Sequence, residues 1–275
     1  MENKIYPTIK NSILLCLLFL GIQIGLGIFL ELLKIIIRLP DNSLSIGILT
    51  ALASIISFGI VLLIGFKKTK RKFNEVFKFN KVPVFLWIAV IVFMTGFVIV
   101  SSETDNLLNY ILPMPEIFSD LFETLMARQA LILAIIVIGI IPALTEELFF
   151  RGLILDGLKN NYSGRKAIII SALLFGIIHL NPWQFLGGFI IGLISAWICI
   201  KTNSILLSIY IHFFNNALYT ITVKYKELIP IKGFNNNFTT PVVFQPLWFD
   251  LTGLAILIIG TIMLIQGLKK AKMSA

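Results

Sequence analysis

The chain has 275 residues, 57% of them hydrophobic and 13% charged, with a formal net charge of +9. This balance excludes a soluble globular enzyme and a disordered chain, and leaves a polytopic membrane protein. The basic excess does not point to nucleic acid, because the Lys and Arg residues flank apolar runs with no soluble domain to carry them; they read as topology signals beside anionic membrane lipids.

Apolar runs long enough to cross roughly 30 Å of hydrocarbon lie at 12–37, 42–66, 82–101, 130–150, 166–181, 183–200, 203–223 and 247–267. The expected fold is therefore an all-α polytopic membrane protein of about eight transmembrane helices, forming a single membrane domain over 1–275. The first run is too long for a cleaved signal and lacks a small-residue cleavage site, so it is expected to stay as an anchor. The fifth is short and runs through His179, Asn181 and Pro182 into the sixth with almost no polar connection.

Basic residues set the orientation, since short cytoplasmic loops collect them. With both termini cytoplasmic, seventeen of the 23 fall inside, including the stretch "KKTKRKFNEVFKFNK" from Lys67 to Lys81. The segment 102–128 holds five acidic residues and a candidate amphipathic helix in "IFSDLFETLMARQ", while 224–246 has the Gly, Pro and Asn content of an irregular loop. Small residues four apart in "GIQIG" (21–25) and "GGFIIG" (187–192) suit close helix packing. Cys16 and Cys199 are isolated within spans and read as apolar fillers.

Ionisable groups in a span cost about 2.5–3.5 kcal/mol each at a helix centre, so each needs a reason. Glu31 and Lys34 can pair near one end of the first run, and Asp250 starts the last. The remainder is Glu146, Glu147 and Arg151 in the fourth run, His179 in the fifth, and His212 with Asn215 and Asn216 in the seventh. The chain has two histidines, and both are in this set. Counting helical rise from the nearest basic flank puts Glu146, His179 and His212 roughly 16–20 Å from the same side, in one layer.

Glu147 and Arg151 are four residues apart and can pair, with Glu146 about 100° round the helix and free for chemistry. His212 and Asn216 share the same spacing and can present two donors to a developing oxyanion. Phe175 lies one turn before His179, where it can wall off a site.

In this order "EELFFR", "FGIIH" and "HFFNN" resemble the CAAX protease and bacteriocin-processing family, also called Abi, over roughly residues 130–220. That family is similar in fold to the Ras-converting type of CAAX prenyl endopeptidase. The resemblance implies an intramembrane glutamate-type endopeptidase without a cofactor, with Glu146 as general base and His179 its partner in activating water. It makes His212 and Asn216 the oxyanion hole, and gives Glu147 and Arg151 the task of shaping the site. The implied partner is a peptide, or a lipidated or membrane protein, met at the cell membrane.

Other readings stay open. Glu146, His179 and His212 can ligate zinc as a two-His, one-carboxylate set, although "HExxH" is absent. A non-catalytic immunity factor or scaffold of the same family, and a transporter using these groups as a proton relay, are the non-protease alternatives.

Overall fold

A computed structural model describes residues 4–235 and 241–273, and all the regular structure there is helical apart from one isolated bridge between Phe79 and Ser204. The helices are α1 (Ile9–Ile36), α2 (Ser43–Thr69), the single turn α3 (Phe73–Val76), α4 (Val84–Ile111), α5 (Glu116–Glu123), α6 (Leu131–Asn161), α7 (Gly164–Ile177), α8 (Pro182–Thr202), α9 (Leu206–Lys224) and α10 (Leu247–Met273). Six of them, α1, α2, α4, α6, α8 and α10, are long and apolar enough to cross a membrane.

The eight expected runs thus become six long apolar helices and two that differ. The fifth, α7, has only 14 residues. The seventh, α9, has 19, diluted by His212, Asn215 and Asn216. The expected amphipathic helix over 117–129 is present as α5, extended by a wide π-type turn at Thr124–Arg128. The expected irregular loop holds a short 3₁₀ turn at Lys226–Leu228 followed by non-regular chain; residues 236–240 within it lie outside the described residues.

Two compact units divide the chain, the first comprising residues 1–81 and 140–212, the second 82–139 and 213–275. In the first, α1 packs on α2, α2 on the second half of α6, and α7 on α8. The α7–α8 contact is close because Gly192 faces Ala172: a Cβ there would lie 2.9 Å from the Ala172 Cα. Hydrocarbon gives no hydrophobic drive for helices to associate, so such close approaches supply the packing. "GIQIG" behaves otherwise. A Cβ on Gly21 or Gly25 would meet nothing within 4 Å, and Leu17, Ile24 and Ile28 beside them are exposed, so this stretch faces outward.

The second unit is built on α4 and α10. A Cβ on Gly253, Gly260 or Gly267 would overlap Ile99, Phe93 or Leu86 respectively, so contacts advance along one helix as they recede along the other and the pair is antiparallel. The chain after α9 is fastened to α4 by buried polar groups. Asn106 donates to Gly233 O at 2.8 Å, Asn235 N to Ser102 Oγ at 2.8 Å and Gln245 Nε2 to Ile99 O at 3.1 Å. Non-helical backbone beside apolar helices needs such partners.

Candidate active site

Within the first unit, α6 carries "TEELFFRG" across a change of helical gauge: ordinary α-helix to Glu147, then a π-type turn from Leu148 to Ile154. Wide turns of this kind leave carbonyls without their usual partners and occur often at functional sites. Here the Ser171 hydroxyl of α7 donates to Phe150 O at 3.3 Å.

Glu147 and Arg151 pair as their spacing implied. Arg151 Nε lies 3.0 Å from Glu147 Oε2 with both side chains wholly inaccessible. The guanidinium also sits over the Phe175 ring, 4.5 Å from its centroid. Loss of either partner of such a pair is strongly destabilising, because the survivor would be an uncompensated buried charge.

The other oxygen of Glu147 does something the sequence did not reveal. Oε1 accepts from His212 Nδ1 at 3.1 Å. That contact fixes the imidazole, with Nδ1–H toward the carboxylate and Nε2 on the far side. Nε2 lies 4.0 Å from Glu146 Oε2, and that oxygen is buried with no hydrogen-bond partner among the described residues. A 4.0 Å separation is too long for a direct hydrogen bond. Two acid–base groups therefore face one another with a gap, one held by a neighbouring carboxylate and the other uncommitted.

His179 reaches the same neighbourhood through a break in the chain. α7 stops at Ile177, Leu180 takes a left-handed conformation (φ +56°), and Asn181 caps α8 by accepting from Gln184 N at 2.8 Å, with Pro182 as its first residue. A non-glycine residue at positive φ is strained and is held only where its surroundings determine it; Asn181 Nδ2 fixes this one by donating to His179 O at 2.9 Å. The His179 ring nitrogen Nδ1 is 2.9 Å from Phe175 O, which makes Nδ1 the protonated nitrogen and leaves Nε2 free to accept. Phe175 is the common wall: its ring packs edge-on against His179 at 5.3 Å and against His212 at 5.6 Å.

The first unit thus brings together Glu146, Glu147, Arg151, Phe175, His179 and His212. Asn216 belongs to the second unit, where its amide donates to Ile138 O at 2.8 Å. One of its two N–H groups is therefore committed and one remains. Among the described residues, no three His, Cys, Asp or Glu side chains form a group able to hold a metal ion.

Residues 128–218 match the family described as type II CAAX prenyl endopeptidase Rce1-like. This stretch resembles an Rce1-like domain. It contains all three sequence motifs, from Glu146 to Asn216. A curated relative, UPF0177 protein YxdF of Lactococcus lactis subsp. lactis (strain IL1403), is 34% identical over 77 residues, which are 28% of this chain and 42% of that protein. The chain therefore spans less than half of that relative's length. No solved structure matches.

Sequence reasoning missed one residue of the matched stretch with a clear role. Asp156 is buried and gathers Arg71, Lys78 and Asn160. Part of the basic stretch 67–81 is thereby fastened to α6. The signal available was Asp156 itself, a carboxylate within a spanning helix, which demands a cationic partner.

Proposed function

We propose that this multi-pass membrane protein is an intramembrane endopeptidase that hydrolyses a peptide bond of a hydrophobic or membrane-associated peptide or protein. The observation that carries the reading is Glu146 Oε2, buried, without a partner, and facing an imidazole held from behind by Glu147. Glu146 takes a proton from a water molecule, with His179 Nε2 orienting that water. The hydroxide attacks the carbonyl carbon, whose oxygen becomes an oxyanion. His212 stabilises that charge by donating from Nε2 when both its ring nitrogens carry protons. Asn216, four residues further along α9, supplies its remaining N–H by the helical spacing of the sequence. Collapse expels the amine, which takes the proton held by Glu146.

The charges balance in this scheme. Arg151 neutralises Glu147 in the resting site. The substrate is proposed to arrive from the cytoplasmic side of the cell membrane, the side on which the basic flanks of α6, α7 and α8 lie by the charge rule.

Glu146→Gln tests the reading. The purified variant should fold and insert as the parent does, yet fail to cleave a membrane peptide substrate identified by comparing the peptide pools of cells with and without the gene. Normal cleavage by the variant contradicts the general-base role, and a peptide pool unchanged by deletion favours a non-catalytic scaffold.

A further inference from the structure

The spanning helix α6 contains one proline, Pro142, a turn before Glu146. A proline inside a helix has no N–H to give the carbonyl four residues back, and its ring presses on that carbonyl. Here the carbonyl belongs to Ile138. It lies in a second wide, π-type turn of α6, over Ile135–Ile140, and regular α-helix resumes at Ile141. Such a change of gauge is how a helix takes a ring into its ladder. A backbone acceptor that has lost its ladder donor needs another, and Asn216 of α9 supplies it: Nδ2 donates to Ile138 O at 2.8 Å.

The other end of the amide is also held. Asn215 Nδ2 donates to Asn216 Oδ1 at 3.2 Å. Turning the Asn216 amide over would set Oδ1 against Ile138 O, two acceptors, and Nδ2 against the Asn215 amide nitrogen, two donors. Its orientation is therefore fixed from both sides. With one N–H on the Ile138 carbonyl, the second has a single direction. A backbone N–H at position 142 would compete for the same carbonyl and release the amide from it.

We propose that Pro142 is a positioning residue: by withholding a backbone donor it keeps the Ile138 carbonyl open to Asn216, and so aims the second N–H of that amide. Proline itself takes no part in the chemistry. The contact stands on the structure, while its effect on turnover rests on the proposed proteolysis, in which Asn216 serves the oxyanion. Pro142→Ala separates aim from fold. It restores the N–H and removes a ring that strains a helix interior, so it should leave the protein at least as stable as the parent and yet slower.

The purified full chain in mixed micelles is compared as parent, Pro142→Ala, Asn216→Ala and the double variant, with unfolding and cleavage measured on each. Unfolding needs no substrate. In the parent, Asn216→Ala leaves the Ile138 carbonyl without a donor and should lower the folded-to-unfolded ratio about tenfold. In the Pro142→Ala background the backbone N–H serves that carbonyl, and the loss should shrink to about twofold or less. In cleavage of the membrane peptide substrate, Pro142→Ala should lower kcat about tenfold or more at constant KM, with no further loss where Asn216 is already replaced, because the proline acts through the amide alone. Lactic acid at position 142, introduced by nonsense suppression, has an ester oxygen where alanine has its N–H and should keep the parent's kcat without the ring. A Pro142→Ala protein less stable than the parent, an Asn216→Ala loss equal in both backgrounds, an unchanged kcat, or a lactate-containing chain as slow as Pro142→Ala overturns the proposal. If the parent itself cleaves nothing, the proteolytic reading has failed, and the unfolding cycle decides the contact without it.

Discussion

Replacing Glu147 by Gln removes one charge and almost no volume, so its effect isolates electrostatics from packing. In the folded protein Arg151 is left buried against a neutral amide whose NH₂ opposes a guanidinium donor. Loss of one partner of a buried pair costs about 3–5 kcal/mol. The Phe175 face returns only about 0.5–2 kcal/mol of cation–π attraction, and that contact exists in the parent as well. A net destabilisation near 3 kcal/mol, on the order of a hundredfold in the folded-to-unfolded ratio, is expected. Adding Arg151→Met removes the orphaned charge, and apolar replacement of a buried pair is close to neutral or better. The double variant should return to within about 1 kcal/mol of the parent. Its activity should not return, because the carboxylate behind a working imidazole is worth up to about 10⁴-fold in kcat. Reversible unfolding in mixed micelles, on the parent, both single variants and the double, gives the coupling energy directly. A coupling below about 1 kcal/mol, or a double variant no more stable than Glu147→Gln, refutes the argument.

Asn216→Ala should lower kcat by roughly 10²- to 10³-fold with little change in KM, since an oxyanion donor acts on the transition state; a loss confined to KM points to substrate binding instead. Activity should survive prolonged chelation in protein free of stoichiometric zinc, whereas one ion per chain lost together with activity makes Glu146, His179 and His212 its ligands. Gly192→Ala should cost about 1–3 kcal/mol in micelle unfolding, because α7 and α8 must part to admit the Cβ. Gly21→Ala, which meets nothing within 4 Å, is the matched control and should stay within about 0.5 kcal/mol of the parent.

What the sequence made legible was local. The Glu147–Arg151 pair follows from a spacing of four on one helix, and the break after His179 from Asn181–Pro182, a cap followed by a residue that can only begin a helix. Contacts between helices were beyond it. Nothing in "EELFFR" or "HFFNN" says that Glu147 meets Nδ1 of His212, because that depends on how α6 and α9 are rotated against one another. Nor does the pattern disclose the π-type turn at Leu148–Ile154, whose residues are as apolar as those of any buried helix. "GIQIG" and "GGFIIG" are alike as strings, yet only the second is an interface; a small-residue motif states what a helix permits and not what its neighbour does. The basic run at 67–81 was legible as an orientation signal, while the use of Arg71 and Lys78 to bind Asp156 was hidden by a separation of more than seventy residues.

The pairing of α4 with α10 has a consequence for how the chain is made. α4 leaves the ribosome early, with a face shaped for Gly253 and Gly260 and with Asn106 and Ser102 awaiting Gly233 and Asn235. Its partner is synthesised last. At 5–20 residues per second the interval is on the order of ten seconds, during which α4 sits in the bilayer with polar groups unsatisfied. Chains halted before Gly233 never leave that condition, and those halted before Leu247 keep the glycine-shaped face of α4 unpaired in the bilayer.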